Sequence, residues 1–246
     1  MAGDQRIMLL TGASRGIGHA TVKTFEEQGW RILTVSRQAF SAQCPWLSGP
    51  DNHIQADLGD PGGIDALARQ VRDRLPEGRL HALVNNAGIS PKGPDRGRLG
   101  VLDTDAETWM QVLNVNLVST ALLARALMPE LERGQGSIVN VTSIAGSRVH
   151  PFAGVAYAAS KAALAALTRE MAHEFGRLGV RANAIAPGEI RTSILSPGTD
   201  ELVADEVPMG RVGDPREVAD TIHFLCSDAS SYINGAEIHI NGGQHV

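Results

Sequence analysis

The chain has 246 residues, 43% of them hydrophobic and 20% charged, with 22 Lys and Arg against 27 Asp and Glu for a formal net charge of −5. That length suits one α/β domain over 1–246 with a full core, and the mildly acidic balance gives no electrostatic footprint for nucleic acid or an anionic membrane. Two cysteines, Cys44 and Cys226, make neither a disulfide framework nor a metal-ligand cluster, and the apolar stretch 7–10 is too short for a signal peptide or a membrane span, so a cytoplasmic protein without a metal is expected.

Arg6 to Leu10 reads as a first strand that runs into Thr11-Gly12-Ala13-Ser14-Arg15-Gly16-Ile17-Gly18, followed by a helix from Gly16 to Gln28. Strand, glycine turn and helix form the context of a dinucleotide-binding motif: glycines let the backbone turn tightly, and the helix N-terminus holds a pyrophosphate. The spacing is G-x-x-x-G-x-G rather than the commoner G-x-G-x-x-G, and glycines needed only for packing would look the same. Trp30 to Ser36 reads as a second strand, and in this fold its end meets the adenosine ribose. Here Ser36-Arg37 stands at that end, with no acid before Asp51. Arg15 lies in the facing turn, and the pair suits a 2′-phosphate better than a free hydroxyl. Two solvated surface arginines are the alternative.

His53 to Ala56 is a short third strand ending at Asp57-Leu58, where a carboxylate can accept from an adenine amino group. The segment 61–75 has helical spacing, and Leu80 to Val84 is a fourth strand closed by Asn85-Asn86-Ala87-Gly88. A long Gly/Pro/Arg-rich loop follows over 89–103. The apolar spacing then predicts one long helix over 105–131, in which Asn114 and Asn116 interrupt the apolar face and need partners.

Ser137 to Val141 is a β-branched strand that delivers Thr142-Ser143 at its carboxyl end. After the loop 144–156, a helix to about Arg177 carries Tyr157 and Lys161 at i and i+4, one turn apart on one face. A cation there favours the phenolate of a tyrosine whose ordinary pKa is about 10, so Ser143, Tyr157 and Lys161 read as a proton relay. On its own, however, Y-x-x-x-K is equally an edge tyrosine beside a solvated lysine. Val180 to Ala186 is a sixth strand closed by Pro187-Gly188, and 189–208 is read as irregular. Asp214-Pro215 opens a last helix, and Ala236 to Ile240 is a seventh strand. The alternation implies a single doubly wound parallel sheet with helices on both faces, a Rossmann arrangement.

These residues, in order, are TGASRGIG, Asp57, NNAG, Asn116 in NVNL, Ser143, YAASK, Pro187-Gly188 with Thr192, and SSYINGAEIHINGG. On them the chain resembles the short-chain dehydrogenases/reductases over essentially its whole length. The C-terminal third looks most like the 3-oxoacyl-carrier-protein reductase branch, a pattern shared with sugar, polyol and alcohol dehydrogenases. The resemblance implies Tyr157 as general acid or base, Ser143 as the group binding the carbonyl oxygen, and Lys161 as both tuner and ribose ligand. It further implies that Asn116 holds a relay water and that Thr192, Pro187 and Ile190 lie by the nicotinamide. NADP(H) is the cofactor expected to be preferred, with NAD(H) as the alternative, and the substrate expected is a small carbonyl or secondary alcohol. A 3-oxoacyl thioester, or a non-catalytic NADP-binding role, remains as an alternative. A homotetramer, or a homodimer, is expected through the two long helices and the last strand. In the family, Glu189 would lie near the pocket floor, with Ser90, His150 and Phe152 around it, or would turn outward to Arg191 or Arg148.

Overall fold

Seven strands, β1 (Ile7–Thr11), β2 (Arg31–Ser36), β3 (His53–Gln55), β4 (Ala82–Asn85), β5 (Ser137–Val141), β6 (Arg181–Pro187) and β7 (Glu237–Ile240), pair in parallel in the order β3-β2-β1-β4-β5-β6-β7. The computed structural model describes residues 5–40, 49–93, 97–192, 195–196 and 198–246, and Cys44 lies outside them. The central strands are apolar on both faces because helices cover both. In β1 every residue is buried, Met8 and Leu10 facing one helical layer and Ile7 and Leu9 the other.

On one face, α1 (Gly16–Glu27) and α8 (Pro215–Cys226) pack together through Val22, Phe25, Val218, Ile222 and Leu225. The opposite layer holds α2 (Ile64–Arg72), α4 (Ser119–Ala126), α5 (Met128–Gly134) and α6 (Val155–Phe175), whose Leu67, Leu123, Leu131 and Met171 join the second core. The strand order reverses between β1 and β4. In such sheets, ligands bind there, beyond the carboxyl ends of the strands.

Two expected elements differ. The single helix over 105–131 is three: α3 (Ala106–Leu113), a π-helical turn at Asn114–Val118, α4, and then α5 at a 63° bend. Pro129 in the first turn of α5 cannot continue a preceding helix, and Leu127 leaves the helical region at φ −105°, ψ 9°. The π-turn falls on the two asparagines, whose amides take partners outside the helix. Residues 189–208 are not wholly irregular, since α7 spans Thr199–Glu206. It starts after Gly198 at φ +83°, with Asp200 and Glu201 complementing its N-terminal dipole. No single helix among the described residues is long and apolar enough to cross a membrane.

Candidate active site

The carboxyl ends of β1 and β4 are tied by side chains. The Thr11 hydroxyl accepts the backbone N–H groups of Asn86 and Ala87, each at 3.1 Å. The Asn86 amide donates to the carbonyls of Thr11 at 3.1 Å and Gly12 at 2.8 Å. Asn86-Ala87-Gly88 thereby holds the glycine turn in shape. Gly12, at φ +71°, has no room for a Cβ, which would lie 2.8 Å from the Ala87 Cα. Gly16, at φ +55°, lies against Thr192, whose Cγ2 would be 3.0 Å from such a Cβ. The first turn of α1 carries no side-chain cap and no acid, so its N–H groups and dipole stay available to an anion.

A cleft of about 570 Å³ opens there, walled by Arg15, His19, Lys23, Arg191, Thr192 and the start of α8. The uncapped helix start at Gly16, with Arg15, Lys23 and Arg191 outnumbering Asp214 in the walls, fits a dinucleotide pyrophosphate, with Ser14, Ile17 and Gly18 in the same turn and helix start.

At the end of β2, the Ser36 hydroxyl donates to the Gln38 carbonyl at 2.9 Å, and Gln55 donates to the Arg37 carbonyl at 2.9 Å. The Arg37 guanidinium is exposed and has no partner among the described residues. Arg15, extended at φ −159°, ψ 171° as the residue capping α1, lines the cleft beside Thr192. Asp57 accepts the Gly59 N–H at 2.8 Å through Oδ1, and the adjoining Leu58 is buried.

The catalytic candidates meet beyond β4 and β5. Asn116 sits in the π-turn, and its Nδ2 donates to the Ile89 carbonyl at 3.0 Å and the Ser160 hydroxyl at 2.9 Å. Its Oδ1 accepts the Ile89 N–H at 2.8 Å. Asn114 donates to the Gly59 carbonyl at 3.3 Å, so both amides are partnered as expected. Asn116 Oδ1 and Lys161 Nζ converge above Gly88, at 3.5 and 3.4 Å from where a Cβ would stand. Lys161 is buried and donates to the Val141 carbonyl at 2.6 Å, and its Nζ lies 5.6 Å from the centre of the Tyr157 ring. Burial lowers the Lys161 ammonium from 10.5 to about 8.

Tyr157 departs from the expectation that Lys161 favours its phenolate. Burial of the phenol raises its pKa above 10.0, a hydrogen bond with the Ser143 hydroxyl opposes the rise, and the nearby Glu189 carboxylate adds to it. In the ligand-free chain burial is the largest of these effects. Ser143 also accepts the Ala145 N–H at 3.2 Å.

Glu189 follows Pro187-Gly188 at the end of β6, next to Ser143 at the end of β5. It does not turn outward to Arg191 or Arg148. Its Oε1 accepts from His150 Nε2 at 2.6 Å, with only 9% of the Glu189 side chain and 10% of the His150 side chain exposed. Arg148 instead pairs with Glu206 of α7 at 2.8 Å. The sequence reading also passed over Lys92. That lysine donates to the Phe152 carbonyl, burial lowers its pKa, and the Glu189 charge partly restores it. A lysine in a long polar loop gives no periodic signal, so only the fold brings it to Glu189. The buried ladder Asn85–Asn140–Thr168, at 2.9 Å per step, was equally hidden. It ties β4, β5 and α6 together beneath the site. Ile190 is buried, Gly188 packs against Asn241, and Pro187 ends β6.

A family model described as enoyl-(acyl carrier protein) reductase matches residues 12–245. The chain is 59% identical over 245 residues to protein FixR of Bradyrhizobium diazoefficiens, covering 99% of this chain and 88% of that protein. It is 34% identical over 250 residues to the 3-oxoacyl-[acyl-carrier-protein] reductase FabG of Vibrio cholerae, covering 99% and 98%. A solved oxidoreductase of Brucella ovis, of the short chain dehydrogenase/reductase family and in complex with a partially ordered NAD, superimposes with a TM-score of 0.85. It is 54% identical to this chain, with 97% of this chain and 100% of that one covered.

Proposed function

The chain belongs to the short-chain dehydrogenase/reductase family, and on that premise we propose that it is an NADP(H)-dependent oxidoreductase acting on a small carbonyl compound or secondary alcohol. The observation that carries this reading is the meeting of Ser143 with Tyr157, and of Lys161 with Asn116 above Gly88, in a chain whose first helix starts uncapped after a glycine turn. The nicotinamide, when bound, supplies or accepts the hydride.

The rest falls to the chain's own residues. Ser143 donates a hydrogen bond to the substrate oxygen. Tyr157 gives that oxygen a proton in reduction and takes one in oxidation. Lys161, one helical turn on, stabilises the resulting phenolate and binds the ribose hydroxyls, while Asn116 holds the water that refills the relay. In the free chain the phenol keeps its proton, the form that reduction requires. Residues 12–18 hold the pyrophosphate, and Asp57 and Leu58 face the adenine. Ala87, Gly88, Pro187, Gly188, Ile190 and Thr192 surround the nicotinamide end.

The preference for NADP(H) rests on the exposed, unpartnered Arg37 and on the lack of an acid at the end of β2. NAD(H) remains the competing cofactor, because the Brucella ovis relative holds NAD. A 3-oxoacyl thioester remains the competing substrate, because the relatives include 3-oxoacyl-carrier-protein reductases. The protein works as a homotetramer. Edge strand β7, with Glu237, Ile238, His239 and Ile240 all only half-buried, supports a pairing surface. The direct test is to incubate the chain with NADPH or NADH and a panel of ketones while following cofactor absorbance. Oxidation of NADPH with at least one ketone is expected. A chain that binds neither cofactor contradicts the reading.

A further inference from the structure

We propose that Glu189, held by His150, selects a substrate bearing a hydrogen-bond donor, a hydroxyl or ammonium group, in addition to its reacting carbon. The inference rests on the oxidoreductase reading of the same site.

The geometry fixes which ring nitrogen of His150 faces the carboxylate. His150 Nδ1 accepts the Phe152 backbone N–H at 3.2 Å, so the ring proton resides on Nε2, the nitrogen 2.6 Å from Glu189 Oε1. Oε2 of Glu189, on a side chain nine-tenths buried, has no hydrogen-bond partner among the described residues. Oε2 is thus an acceptor open to a substrate group that donates to it, and an apolar acyl chain brings no such group.

The carboxylate is also where a substrate would be. Its charge acts on the Tyr157 phenol, and it stands one strand over from Ser143. His150 itself is fixed from two sides. Its ring meets Phe152 edge-on at 5.8 Å, and Phe152 is anchored through its carbonyl by Lys92 and against Gly198 at the start of α7. Glu189 is therefore held rigidly, which is what discrimination by a single acceptor needs: a site built to bind a donor rejects the analogue lacking it.

The test is a comparison of kcat/KM ratios in the oxidation direction for propane-1,2-diol and 1-aminopropan-2-ol, each against butan-2-ol. Wild type, Glu189→Gln and Glu189→Leu are compared, with acetoacetyl thioester reduction run alongside. Wild type should favour the donor-bearing alcohols by about 10-fold or more, the size expected for a charge-assisted hydrogen bond. Glu189→Leu should bring both ratios close to one. Glu189→Gln, nearly isosteric and still an acceptor, should keep much of the diol ratio while losing the amine ratio, if ammonium is the group recognised. If hydroxyl is the group, the diol ratio should be the larger in wild type. A wild type that favours butan-2-ol or the thioester, or a ratio that survives Glu189→Leu, overturns the proposal. Absence of any turnover with cofactor bound sinks the oxidoreductase reading instead. In that case, calorimetric titration of 1-aminopropan-2-ol into the NADPH-loaded wild type and Glu189→Leu decides this proposal, and equal or undetectable binding overturns it.

Discussion

Lys161 shows at the scale of one residue how a buried charge costs stability. Its ammonium is buried, makes one bond to a backbone carbonyl, and titrates at about 8 instead of 10.5. Between those pH values the unfolded chain holds a proton that the folded chain has lost, so this group's contribution to stability rises with pH through the window. Below pH 8 the penalty is present in full. Cys226, whose thiol burial pushes from 9.0 up to about 12, acts in the opposite sense above pH 9, so the informative quantity is a difference between proteins. Lys161→Met should stabilise the ligand-free chain at pH 7 by on the order of 1–3 kcal/mol, and the advantage should shrink as pH rises past 8. Urea unfolding at several pH values checks this, and an advantage independent of pH, or none, would contradict it. Arg37 makes the complementary case, an exposed cation without a partner among the described residues. Arg37→Asp should reverse the NADPH-to-NADH ratio of kcat/KM, since each lost charge-assisted hydrogen bond is worth about 1.5–3 kcal/mol. An unchanged ratio would show that the 2′-position is read elsewhere.

Among elements, what the sequence disclosed depended on whether the signal was local. Strand β5 and the start of α1 were legible from β-branched runs and glycine spacing. The start of α8 was legible from Asp214-Pro215, and here the structure adds a full capping box. Asp214 accepts the Arg216 N–H at 2.8 Å, and Glu217 accepts the Asp214 N–H at 2.7 Å. Asp214→Ala should cost about 1 kcal/mol and lower Tm by about 2–4 °C in a chain of this size. A scan showing no loss would mean that α8 is held by its apolar contacts with α1 alone. The break between α4 and α5, the π-turn and α7 were not legible in advance. Apolar spacing continues through Leu127, and the π-turn depends on Ile89 and Ser160, which are far from Asn116 in the chain. The proton-relay candidates were legible as residue types. Their electrostatics were not, because the Glu189–His150 pair and the solvation of Tyr157 exist only once β5, β6 and three loops are brought together.

At the scale of the whole molecule, one parallel sheet sends every candidate group to its carboxyl edge and leaves β7 as an open edge with half-buried Ile238 and Ile240. An unpaired edge carrying apolar side chains is a surface that native proteins cover. Light scattering at micromolar concentration should therefore report about four times the 26.1 kDa protomer mass, and a monomer would refute the assembly. The central claim is that Tyr157 moves the proton in a hydride-transfer reaction. It is tested most directly by Tyr157→Phe, which removes only the hydroxyl. NADPH affinity, measured by fluorescence titration, should stay within a few-fold of wild type, while turnover of the best ketone should fall by about 10²–10⁴-fold. Turnover near the wild-type rate in a variant that binds NADPH normally would contradict the account.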